Sequence, residues 1–362
     1  MRSLIRRADD RGAVGVLVGI LLGGGVLLGM GALVVDTGQL YQERAELQNG
    51  ADAGALAVAH GCATGSSTCS AGKANSLVNA NAKDGASSVA LVCGYDGSGK
   101  LPGCPTSSGA MVDCPAAPSS GTKYVDVHTS TLTAGGSTLL PPAFSRALAG
   151  NSGYTGSTVH ACGRAAWGPP SAATTVAMTI SYCEWQTATS GGTSYAPPPP
   201  ATPPASYDRV LKLHTTGAPS CASGPAGSDG PGMFGWVDDT DSDCSAFISG
   251  GTYSADTGAS AGKQCQTLLA NAQTNHTVIY VPVYTSVTGT GTGGTYTLKG
   301  FAAFVVTGYH LPSFSASDWL KKANDCKGSD KCVNGYFTQG LIPSSGVIGG
   351  PNLGASIVQL TG

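Results

Sequence analysis

Between residues 13 and 35 the chain carries no charged or strongly polar side chain, and behind that run apolar positions recur with helical spacing. At about 1.5 Å rise per residue, an apolar helix of this length reaches across a hydrocarbon layer of about 30 Å. The pattern therefore predicts a transmembrane helix over 13–35. Residues 36–61 are alanine-rich and contain no proline, so the helix is expected to continue as an exposed stalk. Its apolar stripe comprises Leu40, Leu47, Ala51, Ala55 and Ala59, with Gln42, Glu43, Glu46, Asn49 and Asp52 mostly on other faces. A stripe made largely of alanine is narrow, which suits close packing against another helix or against the protein's own sheet. Gly50 and Gly54 each cost a helix about 1 kcal/mol relative to alanine, and close approach of a neighbour is the expected compensation. Gly61 is placed to cap the helix end.

Inside the apolar run Gly15, Gly19 and Gly23 recur every four residues, and Gly25 and Gly29 repeat the interval. Small residues at this spacing form a groove that admits a second helix, where packing drives association. The expectation is a helix partner, either another protein or a second copy of the chain.

Beyond residue 61 the pattern shortens. A helix is predicted over 71–83, stopped by Gly85, and strands over 89–92, 125–127, 157–167, 175–185, 210–214, 233–237, 278–287 and 296–309. Brief helices are predicted behind Pro141-Pro142, over 263–272 and from Ser317, whose hydroxyl is placed to cap. The segments on either side of the Gly/Thr run 289–294 read as a hairpin, with Pro282 marking an edge or a bulge. Residues 196–206, with six prolines, form a solvated polyproline stretch that is either a loop or a linker. The fold class is α+β: a long N-terminal transmembrane helix continuing as an exposed helix, then a β-rich, disulfide-stapled region over 62–362 with a few short helices.

Composition narrows the function. With 54 glycines and 21 prolines in 362 residues the chain is rich in loops, and only 11% of it is charged. Basic side chains do not cluster beyond Arg11, so no nucleic-acid footprint is present. Arg2, Arg6, Arg7 and Arg11 outnumber Asp9 and Asp10 in the tail over 1–12, which places the N-terminus in the cytoplasm and residues 36 onward outside. A cleaved signal peptide is the competing reading, but the apolar run exceeds a signal core and small-x-small sites begin only near Ala55. All 12 cysteines lie behind the apolar run. An even count without a Cys-x2-Cys pair points to disulfides in an oxidising compartment, with zinc as the alternative. The local pairings to expect are Cys62 with Cys69, Cys162 with Cys183, and Cys326 with Cys332.

Few motifs suggest chemistry. Gly94-Tyr-Asp-Gly-Ser-Gly-Lys100 matches part of a phosphate-binding loop, but Leu101 stands where the hydroxyl belongs and Pro102 opposes the helix, so a turn is expected. Asp96-x-Ser98 opens a metal-ion adhesion motif that Lys100 breaks, and 289–294 is a hairpin loop, not a dinucleotide fingerprint. Gly258-Ala-Ser260-Ala-Gly262 has nucleophile-elbow spacing, which leaves a serine hydrolase open as a second reading, although 253–257 is a poor strand to precede it. Asp239, Asp241 and Asp243 begin like a calcium loop, but Cys244 and Gly250 occupy the turn-glycine and glutamate positions. They are candidates for a weak calcium site, with a solvated acidic turn as the default. The six histidines are isolated in sequence, and no cofactor is implied.

Arg11-Gly-Ala-Val, the apolar run, Val35-Asp36-x-Gly38, Arg44, Leu47-Gln-Asn and Ala51-Asp-Ala-x-Ala-Leu-Ala resemble the N-terminal segment of the TadE/TadG-like family of Tad (tight adherence, Flp pilus) systems. Phe234-Gly-Trp-Val-Asp and Gly300-Phe-Ala-Ala-Phe-Val-Val-Thr-Gly-Tyr309 are similar, more loosely, to actinobacterial TadG-related proteins. The resemblance implies a non-enzymatic, single-pass protein of the bacterial cell membrane, N-terminus cytoplasmic and C-terminal region extracellular, associated with pilus assembly or surface attachment. Its implied partners are pilus or secretion-system membrane components, with a homo-oligomer through the helix as a further expectation. Type IV pilins carry glutamate five residues past their cleavage site; here that position is Leu17, so a role as the major filament subunit is not implied. A cell-surface glycan- or protein-binding module is a third reading.

Overall fold

The computed structural model describes residues 11–23, 25–64, 71–101, 113–118, 120–144, 146, 153–213, 221, 232–239, 242–256, 262–289, 294–321, 326, 329–343 and 346–362. The N-terminal half contains α1 (Arg11–Gly23), α2 (Val26–Ala63), α3 (Ala71–Asn81), β1 (Ser88–Tyr95), β2 (Lys123–Ser130), β3 (His160–Gly168), β4 (Pro170–Val176), β5 (Met178–Ser181) and α4 (Tyr182–Thr189). There follow β6 (Arg209–Lys212), β7 (Phe234–Val237), β8 (Ser245–Ser249), β9 (Thr252–Asp256), α5 (Lys263–Asn275), β10 (Val278–Thr288) and β11 (Thr295–Leu311). The chain closes with β12 (Phe314–Ala316), β13 (Cys332–Thr338), β14 (Gly340–Leu341), β15 (Gly346–Ile348) and β16 (Ala355–Leu360).

The apolar run does not form the single helix expected. Gly25 adopts a left-handed conformation, φ 71°, and separates α1 from α2. Glycine alone takes that φ without a Cβ penalty, so the run breaks where the sequence offers Gly23-Gly-Gly. The 13 residues of α1 span only about 20 Å at about 1.5 Å each, and α2 meets Asp36 soon after it begins. Among the described residues no helix is long and apolar enough to cross a membrane. The transmembrane helix over 13–35 is corrected accordingly, and so is the single-pass placement that rested on it. The helix end also differs: α2 continues through Gly61 to Ala63 and is capped at Thr64.

Among the described residues the β-rich region forms three sheets. The first has the order β1-β2-β3-β16-β14, so the last strand of the chain pairs with β3 and ties the C-terminus to the N-terminal unit. In the second, β10-β5-β7-β9-β11 closes on itself through the β10–β11 pairing, and β13 and β6 extend it from the far half of β11. The third is the small sheet β15-β4-β8. A single residue, Pro169, separates β3 from β4, so one continuous stretch passes from the first sheet to the third.

The expected hairpin is β10–β11. Pro282 lies opposite Phe301, and the strand carries a bulge close behind it, with register shifts at Val283/Tyr284 and Tyr284/Ser286. Inside the closed sheet Tyr253 stacks on Tyr296 at 5.3 Å, Tyr296 meets Tyr284 at 4.8 Å, and Tyr253 and Thr179 share a hydrogen bond of 2.6 Å. Burial pushes the phenols of Tyr253 and Tyr296 upward, the latter to about 12. α5 covers this core with Leu269 and Ala272.

Several expectations need correction. The strand predicted over 175–185 stops at Ser181, whose hydroxyl accepts from the Cys183 N–H and starts α4. The stretch 253–257 is expected to make a poor strand, but 253–256 belong to β9 between β7 and β11, where burial of Tyr253 outweighs local preference. Residues 317–321 form a turn in which the Asp318 carboxylate, not Ser317, accepts the N–H groups of Leu320 and Lys321. Most of the helix predicted behind Pro141-Pro142 lies outside the described residues. The proline-rich stretch 196–206 is a loop between α4 and β6, fixed to β13 by Ala196 N–H to Phe337 O and Thr338 Oγ1 to Ala196 O.

Candidate functional site

The stripe on α2 packs against the protein's own first sheet and α3. Leu47, Ala51, Ala55, Val58 and Ala59 are buried, while Leu40, nearer the helix start, is half-buried. Alanine lets backbones meet. A Cβ built on Gly163 of β3 would lie 2.6 Å from the Ala51 carbonyl carbon and 2.5 Å from Asp52 Oδ1. On the flank, Gly50 and Gly54 receive α3: Cβ atoms there would lie 3.2 Å from the Val78 backbone and 3.3 Å from Ala74 Cβ. The glycine cost inside the helix is thus offset by contact, as its spacing suggested.

Polar groups lock the seam. Thr129 Oγ1 donates to the Leu47 carbonyl at 3.1 Å, and Gln48 Nε2 donates to Cys162 O and Asp52 Oδ1 at 2.9 Å each. Desolvation raises the Asp52 carboxyl from its ordinary range, and the Gln48 bond counters it. Earlier on α2, Asp36 Oδ1 accepts the N–H groups of Ala143 and Phe144 at 2.8 and 3.0 Å, bridging over a hundred residues of chain.

Between Asp36 and the seam lies a groove of about 450 Å³ bordered by Leu40, Tyr41, Arg44, Asp113 and His160. His160 stacks on His128 at 5.3 Å, and His128 Nε2 is 3.8 Å from Asp113 Oδ2. The pair comes from neighbouring strands, a proximity the isolated sequence positions did not reveal. Burial, reinforced by His160, holds His128 below the usual imidazole range. Beneath the pair, Arg164 forms a buried bidentate bond with Asp126, at 2.5 and 2.8 Å, and also donates to the Pro115 and Ala116 carbonyls.

The N-terminal end is different. Val16, Leu17, Ile20, Met30, Leu33 and Val34 are each more than half exposed. Cβ atoms on Gly15, Gly19 or Gly23 would meet nothing within 4 Å, and Gly25 and Gly29 lie at the break, joined by a Gly29 N–H to Gly25 O bond.

The remaining candidates carry less. Asp239 accepts the N–H groups of Asp243 and Cys244, and Asp243 accepts that of Ser245; hydrogen bonds from the Ser245 hydroxyl and then its N–H lower the Asp243 carboxyl, so both acids close their own turn. Asp241 and Ser260 lie outside the described residues. Among the described residues no group of three His, Cys, Asp or Glu is arranged to hold a metal. Asp96 closes the 96–99 turn, the turn expected there, by accepting from Ser98 and Gly99.

The cysteines among the described residues are paired. Cys326 joins Cys332 as expected, but Cys162 bonds Cys114 and Cys183 bonds Cys221, which corrects the expected Cys162–Cys183 bridge. Cys162 lies in β3 and Cys183 in α4, and each is taken by a different partner. Cys244 joins Cys265, and Cys62 and Cys93 are also disulfide-bonded; Cys69 lies outside the described residues.

Residues 12–61 match the protein family described as "Putative Flp pilus-assembly TadE/G-like". This segment is similar to a Tad-type domain, which suggests an association with Flp pilus assembly. The match covers α1 and nearly all of α2, the seam and the exposed apolar end together, and leaves the β-rich region unassigned. No curated protein and no solved structure matches the chain.

Proposed function

We propose that the protein is a non-enzymatic component of Tad/Flp-type pilus assembly, and that it works by packing its apolar N-terminal helix against helices of partner proteins. The supporting observation is a division within the Tad-type segment. Its C-terminal part, from Leu47 on, is consumed by the protein's own sheet and α3, while nearer its start Val16, Leu17, Ile20, Met30, Leu33 and Val34 stay exposed. Small residues every fourth position along that exposed part suit close helix approach. The β-rich body, stapled by disulfides, is the cargo the helix holds in place. Deleting the gene in its host and counting surface pili tests the reading. Loss of pili, restored by the intact gene, is the expected result; normal piliation in the deletion strain overturns it.

A further inference from the structure

β10 pairs with β11 from Val278 to Thr288, but on its other edge β5 reaches it only at Val283 and Tyr284. Pro282 O, on that other edge, accepts from Thr179 Oγ1 at 3.0 Å. The register with β11 is unbroken from Val278 to Val283. Peptide groups along a strand turn alternately to its two edges, so the N–H and C=O groups of Tyr280 and Val278 point the same way as Pro282 O. Among the described residues no strand pairs with them. An open strand edge of this kind is a template for another chain.

Beside the open edge lies a cavity of about 570 Å³, bordered by Val278 and Tyr280, by residues 174–176 of β4 and by α5. That volume is within the range of ligand sites, about 300–1,000 Å³. α5 contributes Gln264, Thr267, Leu268 and Asn271, whose spacing of three and four places them on one helix face. Among the described residues no charged side chain borders the cavity. Thr175 borders it too, only 5% exposed, and its Oγ1 has no hydrogen-bond partner among the described residues.

We propose that this edge and cavity bind an extended, uncharged peptide segment of a partner protein, which adds to β10 as a strand. An extended backbone supplies N–H and C=O groups at the two-residue repeat, about 6.6–6.8 Å, that separates Val278 from Tyr280. A charged side chain entering the cavity would lose water without gaining an ion-pair partner, which selects for apolar and hydroxyl side chains. Pro282 ends the open stretch, because it has no N–H to offer and its carbonyl is already taken by Thr179. The site lies in the β-rich region and does not rest on helix packing at the N-terminal end.

Residue-resolved hydrogen exchange on the full chain tests the site, with a capped, uncharged hexapeptide of alternating valine and threonine as the probe. In the free protein the Val278 and Tyr280 amides are expected to exchange fast, while those of Ile279 and Val281, turned toward β11, are protected. With the peptide at about ten times its Kd, exchange at Val278 and Tyr280 should slow about tenfold. Val278 opens β10, a position that tolerates proline, and Val278→Pro removes an outward N–H while leaving the ladder to β11 intact. It is expected to weaken peptide binding about tenfold. If that variant does not fold, N-methylating the peptide groups of the probe serves with the wild-type chain, and should abolish binding. Unchanged exchange at Val278 and Tyr280 with the peptide at about 1 mM, undiminished affinity in Val278→Pro, or equal binding of the N-methylated peptide would each overturn the proposal. So would protection of these two amides that grows with protein concentration in the absence of peptide, which assigns the edge to a second copy of the chain.

Discussion

Gly163 of β3 lies so close beneath Ala51 of α2 that a Cβ on the glycine would stand 2.6 Å from the alanine carbonyl carbon. The contact is backbone to backbone, so neither partner can turn aside. Gly163→Ala is expected to destabilise the fold by at least about 1–3 kcal/mol, the cost of overpacking. Gly54→Ala should stay within about 1 kcal/mol of the wild type, because its neighbours are side-chain atoms at 3.3 Å and alanine recovers helix propensity. Urea denaturation midpoints of the two variants check the contrast.

The Arg164–Asp126 pair is buried, with side chains 5% and 7% exposed. Removing one partner strands the other charge in the interior. Asp126→Ala is expected to cost about 3–5 kcal/mol, and replacing both residues by apolar ones of similar size should cost less than the single change. Denaturation of the two single variants and the double variant gives the coupling.

Asp36 is a prediction of a different kind, since its bonds to Ala143 and Phe144 lie at the surface. Asp36→Ala should change global stability by no more than about 1 kcal/mol. Exchange at the Ala143 and Phe144 amides should nevertheless quicken, and unchanged protection there would contradict the bridge.

His128 is held below its ordinary range by burial, so the folded protein binds fewer protons at this site than the unfolded chain. Its contribution is present at neutral pH and is lost as pH falls below about 6.5, the ordinary imidazole value. Replacing it with leucine should flatten that part of the stability curve; an unchanged acid limb would argue against it.

Non-reducing peptide mapping should recover Cys114–Cys162, Cys183–Cys221, Cys244–Cys265 and Cys326–Cys332. Closing the Cys244–Cys265 loop, with a sequence separation of 21, is expected to contribute about 3 kcal/mol, so replacing both cysteines with serine should lower the midpoint correspondingly.

What could be read from sequence was what is local. The α2 stripe at Leu47, Ala51 and Ala55, the α3 helix, α5 and the β10–β11 hairpin follow periods of 3.6 and 2 over enough residues to stand out. The purpose of Gly50 and Gly54 was legible because glycine in a helix demands a neighbour. Which neighbour was not, for Val78 and Gly163 reach the stripe only through tertiary packing. The break at Gly25 was signalled by three consecutive glycines, yet the apolar character around them favoured reading one continuous span. β16 was missed because a short strand at the chain's end is defined by its partner β3, nearly two hundred residues earlier. The Cys114–Cys162 bridge and the His128–His160 pair depend on the same long-range register and could not be read from spacing.

Gly19 and Gly23 give the most direct test of the assembly surface, because among the described residues a Cβ added at either meets nothing within 4 Å. The Gly19→Leu, Gly23→Leu double variant is expected to fold with an unchanged urea midpoint. Expressed in the deletion strain at wild-type level, it should fail to restore surface pili. Full restoration of pili by this variant would contradict the claim that the exposed helix works by close packing with its partners.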